Sequence, residues 1–263
     1  MMLSLFLLAN VALAQNKTVT GKVLDAKDGS PIAAASVVAK GTFTGAKTAA
    51  DGTFAITVPS SVTKLVVSTI SGQTAGTAFA VTVTLTDGNG NAVNASTNGT
   101  VTLTLKSGNG TLGGTLTGTI TSGTSAVTIS GVTYTKAEAG VSLTATGSGS
   151  GNVVGKTGDS NTFSVVAGAG AKYIVTSSNT SPTAGGTVTI TAQLVDANNN
   201  PVTTSGKTVT WSKSDANGSF SSATSTTDAN GIATVTYTTH TVAGTSTTIT
   251  ATDNTSLTGT SAG

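Results

Sequence analysis

The chain has 263 residues, only 8% of them charged, with a formal net charge of +2 and no cysteine. Every basic residue is lysine, so there is neither a basic field nor an arginine fork for nucleic acid, and disulfides and thiolate metal sites are excluded. Thr, Ser, Gly, Val and Ala make up most of the chain, a mixture that favours strands and turns over helices.

Residues 1–14, MMLSLFLLANVALA, hold an apolar run from Leu3 to Leu8 and a small-x-small site at Ala12-Leu13-Ala14. That is the pattern of a cleaved secretory signal, with Gln15 as the mature start, although no Lys or Arg precedes the run. The run is far shorter than the ~20 residues a membrane span needs, and no later stretch could span. The expectation is an exported protein, extracellular or on the cell surface, with no membrane insertion after signal cleavage.

Residues 15–61 read as a small first module. Val19–Val23 and Ala35–Lys40 are strands, Asp28-Gly29-Ser30-Pro31 is a turn, and Ala50-Asp51-Gly52 is expected to make a hairpin turn into Thr53–Val58. The stretch GKVLDAKDGSPIAAASVVAKGTFTGAKTAADGTFAITVP resembles the carboxypeptidase regulatory-like domain, a transthyretin-like β-sandwich. That resemblance implies a non-catalytic scaffold. Such a short module buries little surface on its own. The strand at 64–70 could close it, but Lys64–Ser71 also aligns with Lys172–Asn179, which argues that the second domain owns it.

The remainder says one thing twice. Ala75–Val93, AGTAFAVTVTLTDGNGNAV, returns without a gap as Ala184–Val202, AGGTVTITAQLVDANNNPV, so that Asp87 matches Asp196 at an offset of 109. In each copy apolar residues alternate with Thr: Phe79, Val81, Val83 and Leu85 on one face, and Val188, Ile190, Ala192 and Leu194 in the repeat. Period-2 alternation over eight positions means a strand with one buried and one wet face. Further matches, Gly99–Leu103 with Lys207–Trp211 and Val132–Thr135 with Val235–Thr238, extend the repeat and place domains at 62–168 and 169–263. KTVTWS, GSFSSATSTTDANGIATVTYT and AGTSTTITATD resemble the invasin/intimin type of bacterial Ig-like domain. The fold class is therefore all-β: tandem β-sandwiches, two Ig-like domains after a small transthyretin-like one. The resemblance implies rigid repeated spacers without enzymatic activity.

No catalytic or cofactor-binding residue emerges. DGNGN (87–91) and DANNN (196–200) share the opening of some calcium loops, which makes Asp87, Asn89, Asp196 and Asn198 weak metal candidates. The sixth-position Gly and twelfth-position acid are missing, and an Asx turn explains both loops more simply. Gly151–Thr157, GNVVGKT, has one residue too few between its glycines for a phosphate loop, and a strand follows instead of a helix. The single histidine, His240, lacks a nucleophile, and Glu138 lacks an acidic partner, so both read as solvated loop residues. Trp211 and the equivalent Tyr134 and Tyr237 read as core. The expected function is a non-enzymatic, exported Ig-like stalk or spacer in adhesion, with an unidentified surface protein or glycan as partner. A carbohydrate-binding module, and a fibre subunit assembled by exchange of the short last strand Ser256–Ser261, are the alternatives.

Overall fold

The computed structural model describes residues 17–40, 44–58 and 60–263, so the expected signal over 1–14 lies outside the described residues. The first domain is thin. Lys17–Lys22 pairs antiparallel with Thr53–Val58, and Ser36–Val38 with Gly45–Lys47, giving two separate two-stranded sheets. Ile56 is its one fully buried apolar side chain among the described residues, while Val19, Leu24, Ile32 and Val38 are exposed. A buried hydroxyl helps to hold the layers together, since Thr48 Oγ1 donates to Ile32 O (2.6 Å) and accepts from Ala35 N (2.9 Å). The expected hairpin turn at Ala50–Gly52 closes as one, Gly52 N donating to Ala49 O at 2.9 Å and Ala49 N to Thr53 O at 2.8 Å, but it goes no further. Gly52, at φ 76°, turns the chain, and beyond Ala49 and Thr53 the strands on either side part into different sheets.

The strand Lys64–Val67 pairs with Phe79–Thr86, placing Leu65 opposite Leu85 in the second core. That sheet continues through Ala126–Tyr134 to Leu112–Gly114. A bulge at Gly131, φ 85°, shifts the register between Ser130 and Val132. The facing sheet runs Thr117–Ile120, Gly99–Ser107, Glu138–Gly149, Phe163–Val166 and Gln73–Thr74, with Thr157–Asp159 also on Glu138–Gly149. Val81, Val83 and Leu85 point between the sheets and are fully buried. Each such side chain contributes about 1.5–3 kcal/mol relative to exposure. On the outer face Thr82 and its cross-strand partner Thr128 meet hydroxyl to hydroxyl at 2.9 Å.

The third domain repeats this plan. Lys172–Ser177, Thr187–Val195, Ile232–Thr238 and Ser219–Phe220 form one sheet; Thr224–Thr226, Thr208–Lys213, Ile249–Asp253 and Thr258–Thr260 form the other. Trp211 is buried between them against Phe220, and its Nε1 donates to Ser225 Oγ at 2.9 Å. Ile190 and Leu194 are buried as their alternation requires. A single 3-10 turn, Gly151–Val153, is the only helical element among the described residues, none of which forms a helix long and apolar enough to cross a membrane.

Candidate functional site

The two Asp-Asn loops have the same internal geometry and different surroundings. Asp87 Oδ1 accepts from Asn89 N and Asn91 N, both at 2.9 Å, and Oδ2 accepts from the Asn91 amide at 3.1 Å. Asp196 does the same with Asn198 N (2.8 Å), Asn200 N (2.9 Å) and the Asn200 amide (2.9 Å). Both are Asx turns, in which a carboxylate replaces the strand ladder at the reversal. The Asn91 amide leads in holding the Asp87 carboxyl below its usual value; burial pushes the other way and is outweighed once the loop N–H groups are added. Burial pushes the Asp196 carboxyl up, but the Asn200 amide and the N–H groups of Gly168, Asn200 and Asn198 outweigh it, so the net shift is down. Asn89 and Asn198 supply backbone N–H groups to these carboxylates.

The second of these loops is also the joint between domains. Asp196 Oδ2 takes the linker N–H of Gly168 at 2.9 Å. The Asn200 side chain reaches into the second domain, where Nδ2 donates to Thr135 O and Oδ1 accepts from Ala137 N, each at 2.8 Å. An amide that pairs a C=O and an N–H two residues apart acts as one more rung of backbone ladder. Asn200 is only 6% exposed, and its amide makes every bond available to it except a second one to its oxygen. Asn198 lies against Gly76, where an added Cβ would sit 2.5 Å from its Nδ2. Among the described residues the equivalent Asn91 bonds within its own loop, so the lock belongs to the second joint alone.

Glu138 is not the solvated loop residue expected. It begins the long strand Glu138–Gly149, and its carboxylate accepts from the Tyr134 hydroxyl, Asn109 N (2.7 Å), Asn109 Nδ2 (3.1 Å) and Gly110 N (3.1 Å). Lys136 Nζ stands 3.4 Å away. Led by the tyrosine, these donors hold the carboxyl down to about 2. Two of the partners, Asn109 and Gly110, lie on a loop nearly thirty residues earlier, which spacing along the chain does not reveal. In the third domain Tyr237 takes the place of Tyr134, and its buried hydroxyl has no partner. A different ion pair appears there: buried Asp253 accepts from Lys207 Nζ (2.8 Å) and from the Tyr173 hydroxyl (3.2 Å).

The remaining candidates fall apart as chemistry. In Gly151–Thr157 the 3-10 turn buries Val153 against Gly99 and Gly147, so the segment plugs the sheet end instead of wrapping a phosphate. His240 accepts from Val242 N through Nδ1 at 2.7 Å, and its charged neighbour is Asp215. Among the described residues no group of three or more His, Cys, Asp or Glu is placed to hold a metal ion.

Residues 19–84 match the CarboxypepD_reg-like domain, and residues 172–262 match the bacterial Ig-like domain (group 1). The first match runs on through Lys64–Val67 and into Phe79–Thr86, although both strands lie in the second domain's sheet. Among solved structures, the chain is similar to the D0-D1 domain of intimin, at 23% identity over 76% of this chain and 96% of that one, with a TM-score of 0.30. It is similar to the adhesin InvE of Yersinia pseudotuberculosis at 21% identity over 75% of this chain and 56% of that one, TM-score 0.30. A β-glycosidase from Bacteroides vulgatus matches at 14% identity over 75% of this chain and 24% of the enzyme, TM-score 0.34. Superpositions this loose carry no argument. No curated protein matches the chain.

Proposed function

We propose that the chain is an exported, non-enzymatic surface protein whose Ig-like domains form a stiff spacer in adhesion. The observation that carries this reading is the Asn200 joint. A spacer must transmit orientation from one domain to the next, and two backbone-like bonds at 2.8 Å, beside a linker N–H held by buried Asp196, restrict bending where a free glycine linker would permit it. The placement of polar groups supports it as well. The carboxylates of Asp87, Asp196, Glu138 and Asp253 are taken up by the fold's own N–H and O–H groups. Every aromatic side chain among the described residues is buried or half-buried, which favours packing over glycan stacking. The test combines fractionation of cells producing the full chain with small-angle scattering of the purified mature protein. Export to the surface and one extended conformer for the second and third domains are expected; retention in the cytoplasm, or a broad spread of inter-domain distances, would overturn the reading.

A further inference from the structure

The tetrapeptide Asp-Ala-Asn-Gly occurs twice in the third domain, at 215–218 and at 228–231, and the fold treats its two copies differently. In both, the aspartate Oδ1 accepts the asparagine N–H, from Asn217 at 3.0 Å and from Asn230 at 2.8 Å. The second copy then closes on itself, Gly231 N donating to Asp228 O at 3.0 Å. The first stays open. Lys213 Nζ takes Asp215 O instead, and Gly218 N donates to no group among the described residues.

An asparagine followed by glycine can react with itself. Once the glycine nitrogen gives up its proton it can attack the asparagine side-chain carbon, and with no Cβ on the glycine nothing shields the approach. A hydrogen bond that occupies the glycine N–H opposes this by holding the proton in place. The other Asn-Gly pairs of the chain are held in that way or locked in a sheet. Gly90 N is held by Asp87 O at 3.2 Å and Gly110 N by the Tyr134 hydroxyl at 2.7 Å, while Gly99 lies in its sheet between Ile120 and Gly149. The open pair also carries a promoting group. Lys213 Nζ donates to Asn217 O at 2.8 Å, and that oxygen belongs to the peptide unit whose nitrogen is Gly218 N. Amide resonance moves the charge of a deprotonated nitrogen onto that oxygen. An ammonium already seated against it stabilises the charge where it develops. In the second domain Leu105 stands in the place of Lys213, and Glu138 and Tyr134 hold Gly110.

We propose that Asn217-Gly218 is a self-modifying bond, at which the folded chain deamidates with Lys213 assisting and water as the only co-reactant. Gly218 N bonds to Asn217 Cγ and the Cγ–Nδ2 bond breaks. The amide nitrogen leaves as ammonia, taking up the proton that Gly218 N has lost. Water then opens the cyclic imide at either of its carbonyls, leaving an aspartate or an isoaspartate. Either product sets a carboxylate near Lys213 in place of a neutral amide and lowers the net charge by one. The isoaspartate also lengthens the backbone by one carbon, in the bend that carries the chain from Thr208–Lys213 in one sheet to Ser219–Phe220 in the other.

Ageing the mature full chain at neutral pH in heavy-oxygen water, followed by peptide mapping with mass spectrometry, tests it. Hydrolysis of the imide incorporates the label, so acid formed during ageing is told apart from acid already present. Label should enter at Asn217 at least about tenfold faster than at Asn230, which shares its tetrapeptide and lies in the same domain. In urea, where neither Lys213 nor Asp228 O is in place, the two sites should age nearly alike. Lys213→Met keeps the length of the side chain, removes its charge and frees Asp215 O for Gly218 N. It should slow labelling at Asn217 about tenfold and leave Asn230 unchanged. Labelling at Asn217 no faster than at Asn230 in the folded chain would overturn the proposal, as would a preference for Asn217 that persists in urea. So would a folded Lys213→Met chain that labels like the parent; if that variant does not fold, the comparison of folded with unfolded parent decides alone.

Discussion

Asn200 and Ala137 sit in different domains, yet the side-chain oxygen of one takes the backbone N–H of the other at 2.8 Å. Asn200→Ala removes that acceptor and the donor to Thr135 O together, leaving two part-buried backbone groups to find water. The expected cost to domain docking is about 1–3 kcal/mol. Small-angle scattering should show a wider spread of inter-domain distances, with far-UV circular dichroism unchanged because no strand is touched. Asn200→Asp should be worse, since it turns carboxylate oxygens toward Thr135 O and the Asp196 carboxylate.

Gly158 and Gly259 hold one position in two domains, and a Cβ on either would fall 1.9 Å from a backbone oxygen, that of Leu65 or of Tyr173. Neither oxygen can retreat without breaking its sheet. Gly158→Ala and Gly259→Ala should each destabilise their own domain by about 1–3 kcal/mol or more. Gly88→Ala is the control, because its Cβ would meet only Thr63 Cγ2 at 3.9 Å. Urea unfolding of the three variants against the parent checks the ranking.

Acid should weaken the second domain in a defined window. The Glu138 carboxyl is held down to about 2 from its ordinary 4.5, first by the Tyr134 hydroxyl and then by Asn109. A folded-state pKa below the unfolded one gives stability that is present above about 4.5 and is lost as pH falls toward 2. Asp253 acts in the same sense in the third domain: burial raises its pKa, but Lys207, Thr255 and Leu257 outweigh this and lower it. Melting temperatures should be flat from pH 7 to 5 and drop below that. Glu138→Gln should lower stability at pH 7 and flatten the acid slope of the second domain.

Calcium should do nothing. The Asp87 and Asp196 carboxylates already face N–H groups at 2.8–3.1 Å, so a cation approaching the same lone pairs meets protons. Addition of calcium or of a chelator is expected to leave the melting curve unchanged. Asp196→Asn should lower it without any metal, by weakening the acceptor of Gly168 N and Asn200 N.

Local periodicity accounts for what the sequence reveals. The alternation of Val81, Val83 and Leu85 with threonines is a property of the pleat itself, so strands and their buried faces can be read directly. The Asx turns at Asp87 and Asp196 are equally local. Asn200 was legible only as half of its role, because Thr135 lies 65 residues away. Glu138 reads as a solvated loop residue for a similar reason, since Asn109 and Gly110 reach it from another loop. The turn at Gly52 is legible because its chemistry is local. The parting of its two strands into different sheets is not, since turn chemistry fixes the reversal but not which strand the chain will pair with next.

The threonine pairs on the outer faces have a consequence for the medium the protein can tolerate. Thr82 with Thr128, and Thr250 with Thr260, bring hydroxyls to 2.9 Å without any ion, in a chain where 8% of residues are charged. Wetting that rests on neutral oxygens does not depend on the thickness of a counter-ion cloud, which shrinks from ~30 Å at 0.01 M salt to ~3 Å at 1 M. The same coat should keep its water, and its shape, from fresh water to brine.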